Sequence, residues 1–206
     1  MDKMNMIHLQ DEDLIASSKT RNCYLHPADP NKVIKIVQKK VPLWKRDANW
    51  KEWTNYQYIK KQHSQLNFIS TYHGFIETNL GRGLLVDCIR DYNGRVSMRL
   101  ENVLVNPVQY DLAALENVVD RFCQKIIENN IQLFDLNFFN ILIQILSDGK
   151  YRLVCVDIKG RFNNYELIPV SSYIPFFSRR KLKRRCHRLM QTLQLARQET
   201  IKHDNR

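Results

Sequence analysis

The 206-residue sequence has no apolar run long enough to span a bilayer, no low-complexity tract, no internal repeat and no Cys-x-x-Cys pair. The first absence argues against a helical membrane protein. The second, with ordinary apolar content, argues against intrinsic disorder. The five cysteines, at positions 23, 88, 123, 155 and 186, are odd in number and scattered. They are expected to be buried or free thiols in a reducing compartment, without a disulfide framework or a zinc site. The six histidines show no metal-ligand spacing. Residues 1–13 carry acids among few apolar residues and lack the apolar core of a signal peptide, so a cytoplasmic location is expected.

The net charge of +11 is uneven. Residues 171–206 hold ten Lys/Arg against two acids, +8, and the preceding 170 residues hold 22 against 19, only +3. The basic character belongs to the C-terminal segment. At this length the chain can bury a core as one domain or as two small lobes.

Strand signals fall at 23–26 and 32–37, joined by a Pro/Asp/Asn-rich turn, and again at 67–77 and 83–88. Helices are predicted over 47–61, with Asp47 as a candidate cap, and over 111–129. In the second, Leu112, Leu115, Val119, Phe122 and Ile126 follow the 3.6-residue period. A basic helix is predicted over 178–198. This order suggests an α+β protein: a mainly antiparallel lobe over 1–92 and a more helical one over 93–206.

Two apolar runs, 141–146 and 151–156, flank Ser147-Asp148-Gly149-Lys150, whose Asp-Gly pair signals a tight hairpin turn. A two-residue turn there pairs residues whose numbers add to 297, placing Asn140 opposite Asp157 with Cβ atoms roughly 5 Å apart. An amide oxygen and a carboxylate converging at a strand end suit magnesium.

Three further residues stand out. Lys35 sits among aliphatics in Val33-Ile34-Lys35-Ile36-Val37. It is either an edge-strand charge or a buried ammonium with an anionic partner. Glu52 shares a helix face with Tyr56 and Ile59, and a carboxylate there needs a partner. An ion pair with Lys35 would satisfy both residues; a solvated glutamate is the alternative. Asp135 lies five residues before Asn140 among Leu133, Phe134, Leu136, Phe138 and Phe139. It is either held in a pocket or, with Asn137, a turn former.

Together these residues resemble a reduced protein-kinase signature: Val33-Ile34-Lys35, Glu52, Asp135 with Asn140, and Asp157-Ile158-Lys159-Gly160. From about residue 15 to 180 the chain also resembles the bacterial YrbL family of PhoP regulatory network proteins, among the kinase-like folds. That likeness is carried by Cys23-Tyr24-Leu25-His26-Pro27, Ile34-Lys35-Ile36-Val37, Tyr72-His73-Gly74, Glu77-Thr78 and Asn140-Ile141-Leu142. The resemblance implies a small two-lobed protein-kinase-like fold with an antiparallel N-lobe sheet and a reduced helical C-lobe. It implies Mg²⁺ and ATP as cofactors, and a role in a PhoP-regulated envelope or stress response. Lys35 would hold the α- and β-phosphates, Glu52 would hold Lys35, Asn140 and Asp157 would bind magnesium, and Asp135 would deprotonate the attacking hydroxyl. Val86, Asp87, Cys88 and Ile89 would meet adenine through backbone groups.

The departures from that signature matter as well. Ala16-Ser17-Ser18-Lys19-Thr20-Arg21, where a glycine-rich loop is expected, has no glycine but carries two cations. Leu133-Phe134 replaces His-Arg, and Asn137 replaces the loop lysine, for which Lys159 or Arg161 are candidate substitutes. No Ala-Pro-Glu motif follows Gly160. The expected phosphoryl acceptor is therefore a non-protein hydroxyl on a small molecule or saccharide-lipid, and the alternative is a pseudokinase-type binding module without efficient turnover. In the basic helix, Leu182, Cys186, Leu189, Leu193 and Ala196 form an apolar stripe. Its basic face is either simply solvated or suited to an anionic membrane surface, placing the protein at the inner face of the membrane. No recognition motif supports nucleic acid as a partner.

Overall fold

The computed structural model describes residues 6–43, 46–133, 135–147, 149–158 and 174–204. Among these residues the chain is α+β, with two antiparallel sheets and helices packed against them. The first sheet contains β1 (Leu14–Ser17), β2 (Arg21–His26), β3 (Asp29–Val37), β4 (Tyr72–Thr78) and β5 (Gly81–Asp87), in the order β1-β2-β3-β5-β4. β3 is therefore an interior strand, which rules out an edge-strand role for Lys35. Alternation along β3 sends Ile34 and Ile36 to a small core with Leu9 and Tyr24, while Val33 joins the large core on the other face.

Between β3 and β4 lies α1 (Ala48–Gln62). Its buried stripe is Asn49, Glu52, Asn55, Tyr56 and Ile59, so most of the face turned inward is polar. A helix packed this way holds its place through specific polar partners as well as apolar area. Asp47 precedes it without a side-chain cap and instead pairs with Lys51 at 2.8 Å.

The second sheet has the order β6-β7-β8: β6 (Met98–Arg99), β7 (Ile141–Ser147) and β8 (Lys150–Cys155). Short α2 (Asn102–Val105) precedes α3 (Leu112–Glu128), whose first turn is capped by Asp111 accepting from the Ala114 amide at 3.0 Å. All five residues of the predicted α3 stripe are buried. α4 (Pro175–Asp204) is 30 residues long, extending past both predicted ends. Its Leu182, Cys186, Leu189 and Leu193 are buried in the large core with α3. All five cysteines are free, and only Cys23 is not fully buried. No described helix is long and apolar enough to cross a membrane.

Two differences from the sequence reading affect the site. The segment 67–71 is not part of a β4 strand. Instead it bridges to the end of β8, where the Cys155 amide donates to Phe68 (2.8 Å) and the Ser70 amide to Cys155 (2.9 Å), tying the hairpin to the first sheet. The hairpin turn closes at Ser147↔Lys150 as the two-residue spacing requires, but the register shifts before Ile145↔Tyr151. Leu146 is the extra residue, a β-bulge. Beyond it the pairing runs Ile141↔Cys155, one residue out of the predicted register. Asp148, inside the turn, lies outside the described residues.

Gly83 marks a close approach within the first sheet. A Cβ there would lie 2.4 Å from Ile34 Cγ2 and 2.9 Å from Ile36 Cδ1, both on buried side chains. Gly83→Ala is expected to destabilise the protein by about 1–3 kcal/mol through overpacking, read as a lower urea midpoint at unchanged slope.

Candidate functional site

The site forms where β2, β3, β4 and α1 meet the chain leaving β8. Interior β3 directs Lys35 under the sheet, where its Nζ lies 2.5 Å from Glu52 Oε1 and also donates to the Val156 carbonyl. The Tyr72 hydroxyl, from β4, donates to the same Glu52 oxygen. Arg21, the first residue of β2, donates from Nη1 to Glu52 Oε2 and from Nη2 to Asp157 Oδ1 at 2.7 Å. Asn49, one turn before Glu52, donates to the Lys35 carbonyl at 2.7 Å. The Glu52 side chain is 2% exposed, and both of its oxygens accept charge-assisted or hydroxyl hydrogen bonds.

These contacts govern the proton affinities. Burial alone would lower the Arg21 pKa, but Glu52 and Asp157 outweigh it and hold the guanidinium well above its ordinary value. Burial and the Glu52 carboxylate hold the Tyr72 phenol well above its usual range, as a donor. Burial raises the Cys23 thiol, and the nearby Lys35 and Arg21 charges oppose that rise.

A second polar group follows α3. Ile131, Leu133, Leu136 and Phe138 are buried and anchor the link, while Phe139 points outward and Phe134 lies outside the described residues. Asp135 Oδ2 accepts from Asn140 Nδ2 at 2.7 Å, and its Oδ1 accepts from Asn137 Nδ2 at 3.2 Å. Asn137 Oδ1 accepts from the amides of Phe139 (2.9 Å) and Asn140 (3.1 Å). Asn137 is thus the turn former, and Asp135 is the carboxylate that the turn holds in place.

The expected opposition of Asn140 and Asp157 does not occur. Because Leu146 bulges, Asn140 faces Val156, whose amide donates to the Asn140 carbonyl at 3.1 Å. A one-residue slip exchanges the faces of a strand: Asn140 turns its amide to Asp135, and Asp157 reaches Arg21. Two polar groups result, Lys35–Glu52–Arg21–Asp157 and Asp135–Asn137–Asn140. They are joined by Val156, which binds Asn140 through its N–H and Lys35 through its C=O. Lys159, Gly160 and Arg161 lie outside the described residues.

The segment predicted to meet adenine is firmly tied. Val86 lies in the ladder between β3 and β4, the Asp87 amide donates to Thr71 (2.9 Å), and the Cys88 amide donates to Asn31 (2.8 Å). The Ile89 carbonyl accepts from Ser97 at 2.9 Å. Asp87 Oδ1 lies 2.6 Å from Lys32 Nζ and 2.7 Å from His73 Nε2. Burial raises the Asp87 carboxyl, but bonds from Lys32, His73 and Thr71 outweigh it and leave it below the usual range. A concavity of about 570 Å³, lined among others by Lys39, Arg46, Trp50, Phe75 and Arg82, lies beside the start of α1. It reaches the polar groups only through Asn49.

No set of three His/Cys/Asp/Glu side chains able to hold a metal occurs among the described residues. Any magnesium here would rest on Asp157 and an amide oxygen. Tyr72 and Asn49 were not expected at the site, and Arg21 was expected only as one of two cations in the glycine-free loop, without its two carboxylate partners. A signal for Arg21 existed: Cys23 pairs with Lys35 across β2 and β3, so alternation puts Arg21 on the Lys35 face.

Glu52→Gln would leave the buried Lys35 without its counter-charge and the partly buried Arg21 with Asp157 alone, so a loss of about 3–5 kcal/mol is expected by thermal or urea unfolding. Lys35→Met is expected to cost less, because Arg21 and Tyr72 still satisfy Glu52.

The family model for PhoP regulatory network protein YrbL matches residues 7–194. The chain is 27% identical over 181 residues to YrbL proteins of Escherichia coli (strain K12) and Shigella flexneri, covering 87% of this chain and 84% of each relative. The matched span includes both polar groups and the sheet, helix and hairpin that carry them, so the chain belongs to the YrbL family of PhoP regulatory network proteins.

Proposed function

We propose that this chain is a compact phosphotransferase of protein-kinase-like design, moving the γ-phosphate of ATP to a non-protein hydroxyl. The observation that carries this reading is the buried Lys35–Glu52 pair converging with Asp157 at the end of the hairpin. The sheet order β1-β2-β3-β5-β4, with a helix between the third and fourth strands, suits a nucleotide-binding lobe over 1–92, and we take 93–206 as the second lobe.

Each residue has work that its surroundings allow. Glu52 and the Val156 carbonyl hold the Lys35 ammonium in place and, among the described residues, take two of its three N–H donors, which suits the third to phosphate oxygens. Asp135, braced by two carboxamides, would accept the proton of the attacking hydroxyl. Asn140 spends its Nδ2 on Asp135; its Oδ1 and the Asp157 carboxylate belong to the two groups that the Val156 peptide joins, and a metal between those groups would draw one hard oxygen from each. That donor set fits magnesium, which keeps water and phosphate as most of its ligands and would neutralise charge on the transferring phosphoryl group. Of the adenine-facing segment, the Cys88 carbonyl and Ile89 N–H carry no internal hydrogen bond among the described residues, which suits a base edge.

One observation favours the pseudokinase-type alternative: Arg21 already occupies Asp157. Thermal stabilisation by ATP with and without Mg²⁺, followed by ATP turnover, separates the two. The wild type is expected to show a magnesium-dependent shift that Asp157→Asn loses. Asp135→Asn should keep the shift and lose turnover by about a hundredfold or more. No magnesium-dependent shift would remove the nucleotide reading, and a shift without Asp135-dependent turnover would establish the binding module.

We also propose an anionic membrane as a partner of α4. Arg179, Arg180, Lys183, Arg184 and Arg188 are exposed, while Leu182, Cys186, Leu189 and Leu193 are buried in the core. The protein would then act at the inner face of the membrane on a saccharide-lipid or similar hydroxyl. Co-sedimentation with phosphatidylglycerol vesicles is expected to fall sharply in R180E/R184E; unchanged binding would leave this basic face merely solvated.

A further inference from the structure

We infer that Arg21 determines the form in which the site accepts a metal: a divalent cation enters as its complex with a polyphosphate and is refused alone. The inference takes the metal's position at Asp157 from the phosphotransferase reading and everything else from the contacts of Arg21. The Arg21 side chain is 12% exposed and its guanidinium spans two carboxylates, with Nη1 on Glu52 and Nη2 on Asp157 Oδ1 at 2.7 Å. Lys35 holds the other Glu52 oxygen. The cluster therefore sets two cations against two carboxylates. A bare divalent cation at Asp157 would have to break a charge-assisted bond and sit beside two positive charges. A metal–triphosphate complex arrives with net negative charge, so the same two cations attract it.

The geometry also accounts for where Arg21 goes. When Nη2 leaves Asp157, Nη1 still rests on Glu52, with Asn49 Oδ1 3.4 Å away. The side chain stays anchored beside the Lys35 ammonium and turns its released N–H groups toward phosphate oxygens. The preceding turn at Ser18-Lys19-Thr20 has no glycine to bring backbone amides close to a phosphate. A planar guanidinium with several donors can make that contact from the strand instead. Arg21 is thus a specificity-determining residue, taking no part in proton transfer.

Mn²⁺, detected by its electron paramagnetic resonance, can replace Mg²⁺ in the test. Binding is measured with and without a non-hydrolysable ATP analogue, in the wild type, Arg21→Met, Arg21→Lys and Arg21→Met/Asp157→Asn. The wild type is expected to hold Mn²⁺ only with the nucleotide. Arg21→Met is expected to bind Mn²⁺ alone about tenfold or more tightly than the wild type, and the added Asp157→Asn should abolish the gain. Arg21→Lys, whose single ammonium cannot span both carboxylates, should show part of the gain and serves if the methionine variant does not fold by circular dichroism. Wild-type binding of Mn²⁺ as tight without nucleotide as with it overturns the inference, as does a folded Arg21 variant without gain. If the wild type ignores Mn²⁺ with nucleotide while Arg21→Met gains a site at Asp157, the phosphotransferase reading falls together with entry as a polyphosphate complex, and only the refusal of the bare cation by Arg21 stands.

Discussion

The carboxylate of Glu52 is the constraint around which this fold is arranged. An ionised group with a side chain 2% exposed is tolerated only if its oxygens are bonded and its charge is matched. Here the partners come from three strands: Arg21 from β2, Lys35 from β3 and Tyr72 from β4. Satisfying that one group therefore fixes the height and rotation of α1 against the sheet. The apolar part of the helix stripe, Tyr56 and Ile59, supplies burial energy, but it would tolerate small rotations that the hydrogen bonds do not.

The same demand links the two halves of the site. Lys35 shares its ammonium between Glu52 and the Val156 carbonyl, and the amide of Val156 binds the carbonyl of Asn140. A movement of α1 that disturbs Glu52 would reach Asn140 and Asp135 through one peptide unit. The bridge from 68–70 to Cys155 holds that peptide under the sheet. The site is therefore built on rigid elements, and only the short Asp135–Asn140 turn depends on side-chain bracing by Asn137.

Much of this was legible in the residues. The α3 stripe and the α1 face follow helical periodicity, because burial against a core imposes a 3.6-residue repeat that composition cannot hide. The pairing of Lys35 with Glu52 followed from the cost of leaving either charge buried alone. The register of the hairpin was not legible. An Asp-Gly turn specifies the closing pair, but a bulge two residues away is a response to packing and leaves no local signal in Ile145-Leu146-Ser147. Nor was the occupation of Asp157 by Arg21, since 136 residues separate them and only the meeting of sheet and hairpin brings them together.

The sequence alone determined membership of the YrbL family, the α+β class, the three long helices and most strands, and which polar residues needed buried partners. These properties depend on local periodicity and on the desolvation cost of single groups. Tertiary structure alone decided the partners. It placed β3 inside the sheet, slipped Asn140 onto Val156, and brought Arg21 between Glu52 and Asp157. The reason is that an ion pair is set by the distance between atoms on different elements, and that distance exists only once the sheet, helix and hairpin have packed.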